Sequence, residues 1–573
     1  MAAETNRPEL LCATDDRRIQ HVARIGLLVA ALSLPTASEA ASIPCRDAGT
    51  VPAKAVLPWA GPQGLDARVP AALTMLLAAE SHGLRPQDYG STTLTRNAYR
   101  LSEAGKRSAA AIDRFNRELT ASLTCYLEHL RYGSVDPKSM HPVLDTPRRV
   151  PMDATLRQAW DANDLASLET DATPSDPRYA SLRAALSQLR EKARVEAAQG
   201  PSGKVSAGTA LRPDSDDARV ASMRARLSFL GDYVEAVDLG EQSDDTRNLA
   251  EHYDPLLRAA VERFQARHGL AADGVVGPST LAELNAPLGS RLAKIEISME
   301  RLRWLPRVEN GPLVLVNLPE FKLEAGLEGD SIDLASRVVV GRSGRSETPL
   351  FAGTVTRVEL NPYWNVPHDI MRDEILPKLK RDAGYLKRKN MEVVRRNRST
   401  TQTVDAKILR ELRRGQARLR QRPGAGNALG QVKFVLPNRR AIFLHDTSQR
   451  DLFARDRRDF SHGCVRVEKP IALTELMLAN DPNWNQEAIA AALANARPEF
   501  IVPARPVMVA LTYLTASVGQ DGLIEFHPDI YGLDHKVVAQ VARWNRRAEP
   551  AAEADMHLAR DWVRQISDRS NAA

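Results

Sequence analysis

Two short segments in the C-terminal half of the chain restrict its fold and chemistry more than any other feature. Residues 442–447 read IFLHDT, a short apolar run that ends at His445, and residues 461–468 read SHGCVRVE. In the second segment Cys464 precedes an alternation of apolar and arginine side chains, which is typical of a strand with one buried face. A thiol becomes a strong nucleophile as the thiolate, and a nearby imidazole commonly generates it. The pair therefore favours a site for cysteine-based acyl transfer.

A cysteine beside valine is more often a small buried apolar residue than a nucleophile, so the pair alone does not decide the chemistry. The whole pattern does more: His445, fifteen intervening residues and then Ser-His-Gly-Cys-Val-Arg from Ser461. It resembles the signature of the L,D-transpeptidases, the YkuD-type enzymes that cross-link peptidoglycan. Because of this resemblance, we favour a catalytic role for Cys464 over a purely structural one.

The resemblance implies a role for each residue of the motif. Cys464 would attack the carbonyl of the third residue of a peptidoglycan stem tetrapeptide and expel the terminal D-alanine. His445 would be the base, oriented through the backbone carbonyl of Asp446. His462 and Gly463 would frame the oxyanion site together with Cys464, partly through backbone N–H groups, and the small Gly463 lets those groups crowd beside the sulfur.

Four further residues are predicted to bind substrate. Ser461 opens the motif, and Arg466 stands where many family members have Asn, so that it is either a contact to a substrate carboxylate or a loop brace. Asp446 replaces the more usual Gly, which matters little if only its carbonyl is used. Trp364 lies in a PYWNVP segment that resembles the border of the active cleft in this family.

Composition excludes several other classes of protein. At 573 residues the chain is too long for one core, and 43% hydrophobic with 26% charged residues is ordinary for a globular protein. The net charge of +6 is compatible with nucleic acid, but no nucleic-acid-binding motif is visible, and we expect no nucleic-acid partner. One Cys and two His lack a convincing fourth ligand, so we expect no metal and no other cofactor.

The first forty residues resemble an export signal. Arg17, Arg18 and Arg24 precede a short apolar run, and small residues up to Ala40 form a plausible cleavage site. The run is too short for a membrane span of about 20 residues. We therefore predict a periplasmic, cell-wall-associated protein with no transmembrane span after cleavage; an uncleaved anchor is the alternative.

Cysteine usage agrees with export. Removal of the signal removes Cys12 and leaves three cysteines, of which Cys45 and Cys125 are able to pair in an oxidising compartment. Sequence does not show whether these two come within bonding distance. Cys464 would then be the odd free thiol, as a catalytic role requires.

The rest of the chain divides by pattern. Helical periodicity fills the N-terminal region, where SHGLRPQDYG and RYGSVDP resemble the scaffold of the large, multidomain L,D-transpeptidases of Gram-negative bacteria. The stretch FQARHGL…DGVVGPST resembles the peptidoglycan-binding type 1 module, a three-helix wall-binding domain; the alternative is a helical spacer that has lost its ligand site. Short alternating segments after residue 304 predict the strands of a mainly β catalytic domain.

A basic insertion interrupts those strands at residues 368–430, hereafter the cap. Residues 371–422 alone hold seventeen Lys or Arg against six Asp or Glu, a net charge of +11. By position it resembles the helical cap that multidomain family members carry over the active site. We predict a basic lid that attracts carboxylate-rich stem peptides; the alternative is a solvated charged surface.

Together these patterns predict a multidomain α+β protein with a helical N-terminal scaffold, a three-helix wall-binding module and a mainly β catalytic domain carrying an inserted helical cap. The predicted boundaries are a signal peptide at 1–40, a scaffold domain at 41–198, a linker at 199–219, a peptidoglycan-binding-like domain at 220–287, the catalytic domain at 305–515 with the cap at 368–430, and a terminal strand with a charged helical tail at 516–573.

The predicted function is a monomeric peptidoglycan L,D-transpeptidase that forms 3→3 cross-links between stem peptides. Three alternatives stay open at this point: an L,D-carboxypeptidase, an enzyme that attaches protein to the wall through the same acyl-enzyme, and a non-catalytic wall-binding protein.

Overall fold

The computed structural model describes residues 45, 48–103, 107–139, 141, 144, 149–200, 203–233, 250–308, 311–328, 331–382, 384–545 and 559–564. The predicted signal at 1–40 lies outside the described residues, as does most of the predicted charged tail beyond residue 545. Within the described ranges, no helix has both the length and the apolar character of a membrane span.

The N-terminal region is helical, as its periodicity predicts. Gly83 ends the first helical segment with a left-handed φ of +68°, a conformation that glycine adopts without strain. Ser108 begins the longest helix, and its side chain accepts a hydrogen bond from the N–H of Ala111. The elements are β1 (Ala60–Gly61), β2 (Gly64–Leu65), α1 (Val69–Ala78), α2 (Ser91–Ser102), α3 (Ala109–Tyr132), α4 (Asp153–Asp161), α5 (Ala166–Ala172) and α6 (Pro177–Gln199).

A disulfide ties the start of the described chain to α3. Cys45 and Cys125 are bonded, with their Cα atoms 5.3 Å apart, and the bond closes a sequence separation of 80 residues. The pairing that the sequence left open is therefore present. Among the described residues, Cys464 is the free cysteine.

A second helical unit follows, and part of the predicted linker belongs to it. Val205 and Asn285 exchange two hydrogen bonds of 3.0 and 2.8 Å, and Leu211 forms a β-bridge with Val276. Residues 203–219 of the predicted linker thus pack against this unit through a few buried apolar residues, although their composition is typical of a linker; the boundary at 199–219 stays a prediction. The helices are α7 (Arg219–Leu230), α8 (Pro255–Arg267), α9 (Pro278–Leu284) and α10 (Leu288–Arg303).

The catalytic domain is built on a sheet of eleven described strands, ordered β16-β7-β12-β13-β15-β5-β4-β3-β17-β6 with β14 beside β5. The pairs β13–β15, β14–β5 and β17–β3 are parallel and the others are antiparallel. These strands are β3 (Leu313–Asn317), β4 (Lys322–Gly326), β5 (Leu334–Gly341), β6 (Phe351–Val355), β7 (Arg357–Leu360), β12 (Val432–Val435), β13 (Leu444–His445), β14 (Asp459–Ser461), β15 (Val465–Val467), β16 (Glu499–Ile501) and β17 (Val507–Thr512).

Helices cover this sheet and complete a single apolar core. Val338, Leu444, Val465 and Leu473 are fully buried in that core. The remaining elements of the domain are α15 (Pro470–Leu478), α16 (Gln486–Ala494), a terminal hairpin of β18 (Ala516–Val518) and β19 (Ile524–Phe526), and α17 (Asp534–Asn545).

The inserted chain leaves the sheet after Leu360 and rejoins it at Val432, the last paired residues of β7 and β12. The cap therefore begins before the predicted residue 368 and includes Trp364 and Asn365. It has an apolar core of its own, and its helical stretches are flanked by strands. Its elements are β8 (Trp364–Asn365), α11 (His368–Ile370), a π-helical turn (Met371–Ile375), α12 (Leu376–Arg381), α13 (Tyr385–Arg388), β9 (Met391–Arg395), β10 (Thr400–Thr401), α14 (Ala406–Arg413) and β11 (Ala417–Gln421).

The predicted fold class is confirmed, with one addition in the cap. Beside its helices the cap contains a four-stranded sheet ordered β10-β9-β11-β8. The prediction that strand patterning is interrupted between residues 368 and 430 is thus wrong. In β11 the inward positions are Ala417, Leu419 and Gln421, whereas the outward positions are arginines, so the strand resembled part of a charge run.

Candidate active site

The two sequence segments meet as parallel neighbours at the centre of the sheet. Leu444 on β13 pairs with Val465 on β15, and His445 pairs with Arg466. Because side chains alternate along a strand, the buried Leu444 and Val465 face the core, and His445 and Arg466 share the opposite face. Cys464 lies in the bend that directly precedes Val465. The charges of Lys433 and Arg466 act on both Cys464 and His445, so the two side chains share one polar environment beside this strand pair.

His445 is buried, 5% exposed, and its Nδ1–H donates to the backbone carbonyl of Asp446. A carbonyl only accepts, so this bond fixes the tautomer and leaves Nε2 as the basic nitrogen. Burial lowers the pKa of His445 to about 3; the charges of Arg466 and Lys433 add to the lowering, whereas the Asp446 carbonyl opposes it. At neutral pH the imidazole is therefore uncharged, and its Nε2 carries no proton.

Cys464 rests as a neutral thiol. Its Sγ lies 3.7 Å from the carbonyl oxygen of Ala441, to which the S–H donates. Burial raises the pKa of the Cys464 thiol to about 11, against the lowering influence of the Phe443 N–H and the charges of Lys433 and Arg466. Within the described residues no hydrogen bond joins Sγ to an imidazole. Such bonds are often long in free enzymes and tighten when substrate binds.

The loop that presents the thiol, Ser461–Cys464, is hereafter the catalytic turn. Gly463 has a φ of +114°, a left-handed conformation that a side chain would strain. Its carbonyl accepts from the Thr348 hydroxyl at 2.8 Å, and its N–H donates to Ser461 Oγ at 3.1 Å. The hydroxyl of Ser461 in turn donates to the Cys464 carbonyl. The turn is therefore held by bonds within itself and to the loop after β5.

These bonds revise two expectations. Ser461, predicted to bind substrate, is 3% exposed and its hydroxyl braces the turn. The N–H of Gly463, predicted to contribute to an oxyanion site, is engaged by Ser461 Oγ in this state. An oxyanion site that uses this N–H would require the turn to rearrange.

Asp446 contributes more than its carbonyl. Its carboxylate accepts from the N–H of Gln431 at 2.8 Å and from Arg450 at 3.0 Å. Gly430 packs directly against it: a Cβ there would lie 2.2 Å from the Asp446 carboxylate. The side chain therefore fixes the backbone that orients His445, an effect that the sequence analysis set aside.

Arg466 and Trp364 occupy different surroundings. The Nη1–H of Arg466 donates to Gln449 at 2.6 Å, while its Nε is buried without a partner among the described residues. Burial lowers the pKa of Arg466. Trp364 lies on β8, opposite Gln421 of β11, and packs against the core of the cap. Arg466 thus lies near Cys464, and Trp364 lies at the base of the cap.

Comparison with known families agrees with this geometry. Residues 311–484 match the family model described as "L,D-transpeptidase catalytic domain". Residues 54–186 match a "Scaffold domain" and residues 216–284 a "Putative peptidoglycan binding domain". The chain contains an L,D-transpeptidase catalytic domain. The family predicted from the motif around Cys464 is confirmed.

Individual relatives carry the same name. A curated protein of Haemophilus influenzae named "Putative L,D-transpeptidase" is 34% identical over 259 residues, which cover 44% of this chain and 50% of that protein. The chain thus spans about half the length of that curated relative. Solved L,D-transpeptidases from Xylanimonas cellulosilytica and Stackebrandtia nassauensis share 17% and 15% identity, with TM-scores of 0.16 and 0.19. They cover 53% and 47% of this chain and 98% and 91% of their own; scores this low support no inference about the fold.

Several residues of the transpeptidase domain were missed by the sequence analysis. Thr348 braces the catalytic turn, Arg450 and Gln431 hold Asp446, and Gln449 holds Arg466. Arg450 and Gln449 follow His445 by only a few positions, so their proximity was a usable signal. Thr348 lies more than a hundred residues from Cys464, and no local pattern connects the two.

Groups with potential metal-ligating side chains lie elsewhere. In the described part of the chain two such groups occur, one with Cys45, Cys125 and His129, and one with Glu320, Glu525 and His527. The first consists largely of the disulfide, and in the second Lys322 already pairs with Glu320 at 3.2 Å. Neither group includes the residues of the transpeptidase motif.

Proposed function

We propose that this protein is a peptidoglycan L,D-transpeptidase that forms 3→3 cross-links through an acyl-enzyme on Cys464. The observation that carries the proposal is the pairing of the strand of His445 with the strand that Cys464 directly precedes, with the free Nε2 of a neutral imidazole as the base. The family of the catalytic domain supplies the reaction class, and the peptidoglycan-binding match agrees with a wall polymer as the partner.

In the first half-reaction the thiol proton of Cys464 passes to His445 Nε2 as sulfur bonds to the carbonyl carbon of the third stem residue, meso-diaminopimelate in the family. The carbonyl becomes an oxyanion, stabilised by backbone N–H groups of the catalytic turn. Collapse of this intermediate breaks the bond to the terminal D-alanine. The departing amine takes the proton back from His445, and a thioester remains on Cys464.

The second half-reaction restores the thiol. The side-chain amine of an acceptor stem attacks the thioester carbon and loses a proton to His445. The carbon–sulfur bond then breaks, and the proton returns to sulfur. A new amide joins the two stems. Water in place of the amine would release a tripeptide, so exclusion of water decides between cross-linking and hydrolysis.

Substrate capture is assigned to Arg466, Trp364 and the cap. Support for a carboxylate contact at Arg466 is its buried Nε–H, which lacks a partner among the described residues, beside the nucleophile. The cap supplies the positive charge that attracts anionic stems, and Trp364 belongs to its base. A monomer exported to the periplasm is consistent with a wall substrate and with the disulfide between Cys45 and Cys125.

Mass spectrometry of the purified full chain with a disaccharide-tetrapeptide tests the proposal. We expect release of D-alanine, a tripeptide-bearing adduct on Cys464 and a cross-linked dimer when acceptor stems are present. Tripeptide without dimer would identify a carboxypeptidase instead. Absence of both adduct and D-alanine release, in protein whose thiol is free, would refute an acyl-enzyme.

A further inference from the structure

In the described part of the chain, a hydrogen bond between an imidazole and a carboxylate joins the cap to the catalytic turn. The Nε2–H of His462 donates to Glu374 Oε1 at 2.5 Å, across 88 residues of sequence. Both side chains are 46% exposed, so solvent reaches the pair. The strongly basic cap thus contacts the turn that carries Cys464 through a carboxylate.

The position of Glu374 is set by the backbone of the cap. It belongs to the π-helical turn Met371–Ile375, between α11 and α12. The two ends of this turn, Met371 and Ile375, are each 3% exposed and packed into the core of the cap. Single π-helical turns are rare in proteins overall, but a large share of them occur at functional sites. The wide turn anchors its ends in the core and leaves Glu374 exposed on the side of the catalytic turn.

The neighbouring charges show that this contact is specific to one carboxylate. Asp373 is paired within the cap, with its two oxygens 2.6 and 2.8 Å from Arg372. Arg345 and His368 are the other charged or titratable groups that act on Asp373. Of the two adjacent carboxylates, Glu374 is the one that hydrogen-bonds to the catalytic turn. Asp373 therefore provides a matched control of equal charge, one residue away.

We propose that Glu374 is a latch that holds the cap against the catalytic turn. It is a positioning residue, since it acts through His462 and not on the reacting atoms. The pair opens to admit a stem peptide and re-forms over the acyl-enzyme, where the closed cap keeps water from the thioester until the acceptor amine arrives. This inference deepens the proposed function and rests on it for its consequence, although the latch itself is a property of the fold.

The expected size of the effect follows from exposure. A contact between solvent-exposed side chains that are able to carry opposite charges changes an equilibrium by about two- to five-fold, and salt weakens its charged form. The latch is therefore strong enough to bias closure and weak enough to open in every catalytic cycle.

The kinetic test compares Glu374→Gln, Glu374→Ala and Asp373→Asn in the full chain, with disaccharide-tetrapeptide as donor and acceptor. We expect both Glu374 variants to raise the ratio of tripeptide to cross-linked dimer by about two- to five-fold at low salt, with acylation of Cys464 unchanged within about two-fold. Asp373→Asn should match wild type. At about 0.5 M NaCl the difference between wild type and the Glu374 variants should become smaller. Equal ratios in all four proteins would overturn the latch.

A double-mutant cycle with His462→Gln identifies the partner of Glu374. If the pair is the latch, Glu374→Gln should change the product ratio in wild type but have no further effect in the His462→Gln background. An undiminished effect in that background would mean that Glu374 acts through another group, and would overturn the assignment.

Hydrogen exchange gives a readout that does not depend on activity. Peptides that cover the π-helical turn and the catalytic turn should both exchange faster in Glu374→Ala than in wild type or Asp373→Asn. If the wild-type protein formed no adduct on Cys464, the proposed function would be refuted. The exchange comparison would still show whether Glu374 holds the cap against the catalytic turn. Unchanged exchange in both peptides would refute the latch even in an active enzyme.

Discussion

The strand pair that carries the thiol is packed in the large apolar core, whereas the cap adds a buried, paired carboxylate to a small apolar core of its own. Leu444 and Val465, which set the positions of His445 and Cys464, are fully buried near the middle of the large sheet. In the cap, by contrast, Glu392 is 2% exposed and is held by Arg420 and Arg422. Apolar packing fixes geometry with little sensitivity to salt, whereas charge acts over distance and is screened. We therefore expect chemistry and substrate capture to respond to different perturbations.

The largest effect should come from the nucleophile. Cys464→Ser should abolish the acyl adduct and the release of D-alanine, because a serine hydroxyl beside a neutral imidazole is a far weaker nucleophile than a thiolate. The control is the double variant Cys45→Ala, Cys125→Ala. It should keep the ability to acylate but unfold at lower temperature, since loss of a native disulfide typically costs about 2–5 kcal/mol.

An adduct that forms in the Cys464→Ser protein, or that maps to another residue, would contradict this assignment. Adduct mapping by mass spectrometry and thermal unfolding followed by circular dichroism provide the two measurements.

The next largest effect separates the two histidines. His445→Ala should slow acylation by about 10²–10⁴-fold, the usual contribution of a general base. His462→Ala should cost far less, because its imidazole faces Glu374 of the cap. Pre-steady-state release of D-alanine measures both rates. Equal losses of rate, or a greater loss in the His462 variant, would contradict the assignment of His445 as the base. The base would then belong to the exposed turn and not to the buried strand.

The resting protonation state predicts a third, smaller effect. Because the raised pKa of Cys464, about 11, lies above neutrality, the reactive thiolate is a minor species throughout the physiological range. Its fraction, and hence the rate of alkylation by iodoacetamide, should rise about tenfold per pH unit from pH 6 to 9 without a plateau. A rate that is flat above pH 5 would indicate a preformed thiolate–imidazolium pair and contradict the neutral resting state.

The smallest effect concerns the cap. Residues 363–428 can be replaced by a short glycine-containing loop, because β7 and β12 remain paired at their ends. We expect the Michaelis constant for anionic stems to rise several-fold and to lose its dependence on salt, while acylation at saturation changes much less. Steady-state kinetics between about 0.05 and 0.5 M NaCl measure this. Unchanged capture and salt response would leave the cap without a role in binding substrate.

Local sequence patterns predicted the fold well. The period of apolar residues predicted the longest N-terminal helix, and alternation predicted the strands on either side of the cap. The packing of the predicted linker and the sheet within the cap were harder to predict, for a physical reason. Val205 and Leu211 are single buried residues in a polar segment, and β11 hides its period behind outward arginines. Tertiary contacts, not local preference, decide both.

The site divides in the same way. The resemblance of the motif to a known family predicted that Cys464 and His445 form one catalytic unit. It also predicted that the Asp446 carbonyl is the partner of the base. Sequence could not indicate that Gly430 is small to make room for Asp446, or that Glu374 would meet His462. Both contacts depend on how the cap leaves and rejoins the sheet, and separations of 16 and 88 residues carry no periodic signal.

The insertion point of the cap has a consequence for local unfolding. The N–H of Asn361 and the carbonyl of Gln431 are 2.7 Å apart, so the chain leaves the sheet and returns to it at nearly the same place. The paired strands β7 and β12 close the loop, and the separate core of the cap shares few apolar contacts with the core of the sheet. The cap can therefore lose its structure as one cooperative unit while the catalytic strands stay folded. On heating or in mild denaturant, we expect the amide protons of the cap to exchange at a lower opening free energy than those of β13 and β15.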